Sequence, residues 1–317
     1  MPSPSEVVVV LGTGGTIAGR SAQAGDLVTY KSGALSAAEL LAALPALAGQ
    51  TIECESLAQI DSSDMDHATW QRLALALRHH LARPEVAAVV VTHGTDTLEE
   101  TAFFLHHTVA AAKPVILTAA MRPATAPSPD GPQNLVDAFT LARVPGAQGV
   151  LAVLNSEVLA GNELRKLQGY RVDAFGSGGA GPLALVQDGR VRQLRAWPDS
   201  APAHGAALDI DSAAWPVVDI VSSHAGARPA VLDAVAAAGA QGVVIAGTGN
   251  GSVHASLLEA AKRAQAAGVV VWRATRCTAG GVVGAGKDAL PAAGDATPAQ
   301  ARVLLMLELM KGRAAAG

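Results

Sequence analysis

Two short stretches place hydroxyl groups where a chain could use them for covalent chemistry. In Val7-Val8-Val9-Val10-Leu11-Gly12-Thr13-Gly14-Gly15-Thr16-Ile17-Ala18-Gly19 an apolar run breaks into a glycine-rich turn at Thr16. Val86–Thr92 runs likewise into His93-Gly94-Thr95-Asp96-Thr97. A β-branched run bounded by glycine reads as a buried parallel strand, and ligands of open α/β sheets sit beyond the carboxyl ends of the strands. Gly15-Thr16 and Gly94-Thr95 therefore both fall at a site mouth. A lone threonine at a helix start is ordinarily a cap. Two of them at neighbouring strand ends, with Asp96 and with Lys166 on the same edge, point instead to an activated hydroxyl. A threonine becomes a nucleophile only when a base takes its proton, and a nearby lysine can serve.

A rival reading of the first turn is dinucleotide binding. Gly12 and Gly14 fit Gly-x-Gly-x-x-Gly, but Ile17 occupies the third position, and the acidic partner has only Glu53 or Glu55 as loose candidates. No cofactor is expected. His79-His80 and His106-His107 are adjacent on helices and point about 100° apart, so neither pair makes a chelating face and no metal is expected. Cys54 and Cys277 are far apart without metal-ligand spacing and read as free thiols, Cys277 as a plain buried one.

The elements that must position these groups alternate strand and helix. Ser36-Ala37-Ala38-Glu39 forms a capping box for a helix to Leu44, Asp66 caps a helix through Leu81, and Thr97-Leu98-Glu99-Glu100 forms a second capping box for a helix through Val109. Strands are expected at 51–56, 86–92, 115–118 and 149–154, with a helix over 134–142. Residues 155–181 lack periodicity, and Asp188-Gly189 marks a hairpin between 183–186 and 191–194. Residues 20–35, including Tyr30, are too long for a turn and read as a lid or binding loop. Past 196–214, strands at 217–221, 242–246 and 269–273 alternate with helices at 229–238, 253–267 and 298–311. The expected fold is two-domain α/β: a larger N-terminal parallel-rich sheet with flanking helices (1–195), a linker (196–214) and a smaller C-terminal α/β domain (215–317).

Composition suits that architecture. Of 317 residues half are hydrophobic and only 3% aromatic, so the core must be built from Ala, Val and Leu. A net charge of -4 and the lack of a Lys/Arg cluster argue against nucleic acid. No apolar run reaches the roughly 18–20 residues of a membrane span, and Met1–Glu6 lacks the basic start of a signal peptide, so a cytoplasmic location is expected.

Thr13-Gly14-Gly15-Thr16-Ile17-Ala18-Gly19 and Thr92-His93-Gly94-Thr95-Asp96-Thr97-Leu98-Glu99-Glu100-Thr101 resemble the two signature motifs of bacterial-type L-asparaginases. The resemblance continues through Ala120-Met121-Arg122-Pro123, Asp130-Gly131-Pro132, Asn155, Lys166, Gly181-Pro182-Leu183 and Gly247-Thr248-Gly249-Asn250-Gly251, over nearly the whole chain. It implies a cofactor-free amidohydrolase acting on L-asparagine. Thr16 would be the nucleophile, Tyr30 the lid tyrosine that orients or activates it, and Thr95, Asp96 and Lys166 a second triad. Ser62 would bind the α-carboxylate, Asp96 the α-ammonium, the Ala120 carbonyl the amide NH₂, and Asn250 would reach in from a neighbouring subunit of a homotetramer built from dimers. An acyl-enzyme on Thr16 and direct attack by water are both open.

Three features depart from the secreted members of that family. Ser63 stands where many of them carry Gln or Glu beside the α-amino group, and Asp61-Ser62-Ser63-Asp64-Met65 looks more like the cytoplasmic subgroup. The segment 276–295 is shorter, and Asp288 is the nearest counterpart of their adjacent-subunit carboxylate. Cys277 sits where some cytoplasmic members have a regulatory asparagine site. A glutaminase-asparaginase, the amidase half of a tRNA-amidating system, and a non-catalytic amino-acid sensor on the same scaffold are the alternatives. The tRNA role lacks an extra N-terminal domain and a basic surface, and a sensor has no need of Thr16, Tyr30, Thr95, Asp96 and Lys166 together.

Overall fold

The computed structural model describes residues 6–21, 30–31, 33–284 and 290–314, and it falls into two compact units, 1–208 and 209–317. Asp288 lies outside the described residues, as do the side chain of Tyr30 and most of the loop before it.

In the first unit the chain runs β1 (Val7–Gly14), β2 (Arg20–Ser21), β3 (Tyr30–Lys31), α1 (Ala37–Ala42), β4 (Ile52–Ile60), α2 (His67–Leu81), β5 (Val86–Thr92), α3 (Leu98–Thr108) and β6 (Val115–Thr118). It continues with α4 (Gly131–Leu141), β7 (Val150–Leu154), β8 (Glu157–Ala160), β9 (Arg165–Lys166), β10 (Phe175–Gly176), β11 (Ala184–Gln187) and β12 (Arg190–Gln193). Eight strands form one sheet in the order β12-β11-β8-β7-β6-β5-β1-β4. The run from β4 to β7 is parallel, and β8, β11 and β12 add antiparallel strands at one side. Val9, Val10, Leu11, Val89, Val90 and Val91 are all 0% exposed, as the continuous apolar runs require for a sheet covered on both faces. Each such side chain contributes about 1.5–3 kcal/mol on burial.

Several local expectations hold. The Ser36 capping box is present, with Ser36 N–H donating to Glu39 at 2.7 Å and Glu39 N–H to Ser36 Oγ at 3.2 Å. Asp66 caps α2 by accepting from Thr69 N–H at 2.7 Å. The hairpin turns at Asp188 and Gly189, both with positive φ, as a type I′ turn requires. Others shift. α1 stops at Ala42, two residues short of the expected Leu44, and a separate 3₁₀ turn follows over Pro45–Leu47. β4 extends to Ile60 because Gly14 pairs with Ile60 across a bulge, which draws Gln59 and Ile60 out of the expected loop. α4 begins at Gly131, with Pro132 in its first turn, where proline's missing N–H costs nothing. The capping box at Thr97 does not form: Thr97 makes no side-chain cap bond, and its hydroxyl donates to the Ser62 carbonyl at 2.7 Å. Residues 155–181 contain β8, which returns on β7 through a two-residue turn at Asn155 and Ser156 with positive φ, and β9 and β10, each two residues long and too short to leave a period.

Trp197 packs against the first unit's core, and backbone bonds tie Ala111 to Ser200 and His204 to His107. The second unit runs β13 (Val218–Ser222), α5 (Pro229–Ala237), β14 (Gly242–Gly247), α6 (Ala255–Ala266), β15 (Val270–Thr275) and α7 (Pro298–Ala314). Its three parallel strands are ordered β13-β14-β15. Thr297 caps α7, accepting from Gln300 N–H at 3.2 Å. Cys277 is exposed rather than buried: β15 ends at Thr275 and leaves it in the following turn, its N–H donating to Thr275 Oγ1. No helix of the described residues is long and apolar enough to cross a membrane.

Candidate active site

The carboxyl ends of four parallel strands lie level. Gly12 pairs with Thr92, Thr92 with Thr118, and Thr118 with Val153. Buried threonine hydroxyls tie this row across strands: Thr13 Oγ1 donates to Thr92 O at 3.0 Å, and Thr118 Oγ1 to Val153 O at 2.9 Å. Beyond the row, the first and second threonine turns touch backbone to backbone. At Gly15 (φ 82°) a Cβ would lie 2.3 Å from Gly94 Cα, and at Gly94 a Cβ would lie 2.5 Å from Ser62 Oγ. Only glycine permits this approach. The residues that follow the touching glycines, Thr16 and Thr95, are each 6% exposed. Thr16 opens a 3₁₀ turn to Ala18, with Gly15 rather than Thr16 in the capping position. The segment after β3 is pinned to the same turn, since Gly33 N–H donates to Gly15 O at 3.1 Å and Leu35 N–H to Ala18 O at 2.9 Å. The backbone of Tyr30 pairs with Ser21 nearby.

Lys166 comes from β9, far along the chain, and reaches the second turn directly. Its Nζ donates to Thr95 Oγ1 at 3.0 Å and to Asp96 Oδ1 at 2.5 Å. The lysine side chain is 19% exposed and that of Asp96 57%. Ser62, 3% exposed, accepts from Asp96 N–H on its Oγ at 3.0 Å, and among the described residues its own O–H has no acceptor, which suits it to donate to an anion. Ala120 is fully buried in a small cluster with Ile17 and Ala18, which sets the end of β6 beside the Thr16 turn. Asp130 holds that end by accepting from Met121 and Arg122 N–H groups, each at 2.9 Å. Thr16, Ser62, Thr95, Asp96, Ala120 and Lys166 thus share one edge of one sheet. Ser63 is tied elsewhere, its N–H and hydroxyl both donating to Asp61 Oδ1. Asn250 belongs to the second unit, where its side chain bonds the backbone N–H and C=O of Val283.

Two supports were not read from the sequence. Glu99 accepts from Lys166 N–H at 2.7 Å, so the first turn of α3, two residues beyond Asp96, clamps the backbone of β9. The Thr97-to-Glu100 pattern suggested only a cap, and no local signal marks a bond across so many residues. Glu99→Ala should lower kcat by about 10²-fold through misplacement of Lys166, and Glu99→Gln, which keeps an acceptor, should retain most of it; steady-state kinetics on both variants check this.

The second support is a directed hydrogen-bond chain. Trp70 Nε1 can only donate, and it donates to Thr101 Oγ1 at 2.8 Å. The Thr101 hydroxyl then donates to His93 Nε2 at 3.0 Å, leaving His93 Nδ1–H to donate to the Gly94 carbonyl at 2.7 Å. His93 is fully buried, and desolvation of its charged form pushes its pKa down to about 4. Burial, with the neighbouring imidazoles His106 and His204, likewise brings His107 to about 4. Both titrate lower in the folded than in the unfolded chain, so the unfolded state binds more protons between pH 6.5 and 4. Stability should be full above pH 6.5 and fall as acid is added through that window, by about 3 kcal/mol from His93 alone. Urea unfolding at pH 7, 5.5 and 4.5 checks this, and a flat profile contradicts it.

Comparison with known proteins places this geometry. The family model "Asparaginase, N-terminal" matches residues 7–198, and "Glutaminase/Asparaginase C-terminal domain" matches 217–316. "Probable L-asparaginase periplasmic" of Haemophilus influenzae is 37% identical over 311 residues, covering 95% of this chain and 88% of its own. "Glutaminase-asparaginase" of Pseudomonas fluorescens biotype A is 34% identical over 314 residues, covering 96% and 86%. The crystal structure titled "Probable Cytoplasmic L-asparaginase from Campylobacter jejuni" superposes with a TM-score of 0.91 at 36% identity, covering 96% of this chain and 95% of that one. Likeness of this extent over both units, with the two threonine turns intact, makes the chain a member of the asparaginase family.

Proposed function

We propose that this protein hydrolyses the side-chain amide of L-asparagine to L-aspartate and ammonia, with Thr16 as nucleophile. The observation that carries the reading is Lys166 bonded to both Thr95 and Asp96 at the sheet edge where Gly15 rests on Gly94. An α-amino acid brings one cation and one anion. In this reading Asp96 takes the α-ammonium, the Ser62 hydroxyl takes the α-carboxylate, and Ser63 borders the α-amino group. The Ala120 carbonyl accepts from the amide NH₂. The Thr16 hydroxyl attacks the amide carbon, ammonia leaves with the transferred proton, and water, oriented by Thr95 and Lys166, releases aspartate. Tyr30 closes over Thr16 from the loop pinned at Gly33. The division into 1–195 and 215–317 with a joining segment 196–214 belongs to the same reading, as do a homotetramer of dimers in which the Asn250 turn serves a neighbouring site, and a cytoplasmic location. The absence of any cofactor is likewise proposed.

Relatives named glutaminase-asparaginase favour one second reading, a broader amide specificity. Ammonia release from asparagine and glutamine at equal concentration separates the two. The asparagine rate should exceed the glutamine rate at least about tenfold, since an extra methylene in a fitted pocket is worth about 1–3 kcal/mol; equal rates would favour the second reading.

A further inference from the structure

Arg273, in the middle of β15, is 2% exposed, yet among the described residues its partners are all main-chain carbonyls. Its Nε donates to Leu290 O at 3.2 Å, one terminal nitrogen to Asn250 O at 3.2 Å, and the other to Gly284 O at 2.8 Å. A planar guanidinium with donors in fixed directions thereby locks three separate backbone segments together. One is the turn that carries Asn250, which is closed by two bonds between Thr248 and Ser252 at 2.9 and 2.8 Å and held from below by Thr275 Oγ1 on Gly249 O. Within that turn the Asn250 side chain holds the backbone of one residue through the two peptide groups that flank it. Its Nδ2 donates to Val283 O at 2.8 Å, and Val283 N–H donates to its Oδ1 at 2.7 Å. The Val283 side chain itself is 74% exposed.

We infer that Asn250 acts in the reaction as a positioning residue: it fixes the backbone N–H and C=O of Val283, and Arg273 fixes Asn250 and Gly284 on either side of that bond pair. The 282–284 segment, rather than the Asn250 amide, is what this part of the chain presents to a site. The inference rests on the reading that the Asn250 turn serves an amide-hydrolysing site. It differs from a direct contact between Asn250 and substrate in a testable way.

The experiment takes the full-length protein and three variants, Asn250→Ala, Val283→Pro and Arg273→Lys, and measures asparagine kinetics and amide exchange of residues 280–284. Asn250→Ala should speed exchange of the Val283 amide by about tenfold or more, the loss expected for one hydrogen bond of ordinary strength. Val283→Pro deletes the N–H that donates to Asn250 Oδ1 while leaving Asn250 in place, and circular dichroism of the variant checks that the fold is kept. It should raise KM by about the same factor as Asn250→Ala, about tenfold, with kcat nearly unchanged. Arg273→Lys combined with Asn250→Ala should be no worse than the poorer single variant. The inference is overturned if Val283→Pro leaves KM alone while Asn250→Ala raises it, or if exchange at Val283 is indifferent to Asn250. Should Arg273→Lys fail to fold, the other two variants decide the matter. Absence of ammonia from the unaltered protein would instead defeat the functional reading, with the exchange result still judging the clamp.

Discussion

Thr16→Ala should fold, bind asparagine and release ammonia at least about 10³-fold more slowly than the parent chain. The fold should survive because the turn around Thr16 is set by backbone: Gly15 against Gly94, the Gly33-to-Gly15 bond and the 3₁₀ turn through Ala18. Substrate binding should survive because the groups proposed for the α-carboxylate and α-ammonium, Ser62 and Asp96, come from other loops. What disappears is the only group in the reading that forms a bond to the amide carbon. Thr16→Ser, which keeps the oxygen and loses the methyl, should retain measurable turnover. Ammonia release, calorimetric binding and circular dichroism on the three chains check the set, and a Thr16→Ala rate within tenfold of the parent would remove Thr16 from the nucleophile's role.

Lys166→Met carries the second large effect. The thioether keeps the length and most of the volume of the lysine stem but cannot bond Thr95 or Asp96. Turnover should fall by about 10²–10⁴-fold, the range of a positioned proton-transfer group. Stability should change by less than about 1 kcal/mol, because the partner carboxylate is more than half exposed and solvent screens the pair. Thr95→Val should lower turnover in the same direction, and the double variant should be scarcely worse than either alone, since two members of one relay are not additive. A Lys166→Met chain with parental kcat, or a double variant whose losses multiply, would show that the bonded trio is structural.

The strands were legible where chemistry repeats locally. Val86–Thr92 is apolar, β-branched and ended by a turn, and the structure gives those bounds unchanged. Asp188-Gly189 announced its hairpin because both positions require positive φ. The irregular stretch after β7 was opaque for the opposite reason: β9 is two residues long and exists only because Phe175 and Gly176 pair with it. The site divides the same way. Thr16, Thr95 and Asp96 stand at glycine-broken strand ends and could be read from the chain alone, and Lys166 from its position along the same edge. The groups that hold them could not. Glu99 stood only as a spacer inside an expected capping box, Thr97 gave up a cap for the Ser62 carbonyl, and the Trp70–Thr101–His93 chain spans a helix, a helix and a turn. Cys277 misled because free cysteine as a residue type suggests burial, whereas this one follows the end of β15 and is exposed.

The most direct test is a coupled measurement of ammonia and aspartate from L-asparagine with the unaltered protein and no added cofactor. The two products should appear in equal amounts, turnover after turnover, with Thr16→Ala silent under the same conditions. Asparagine bound without ammonia release, or release undiminished in Thr16→Ala, would contradict it.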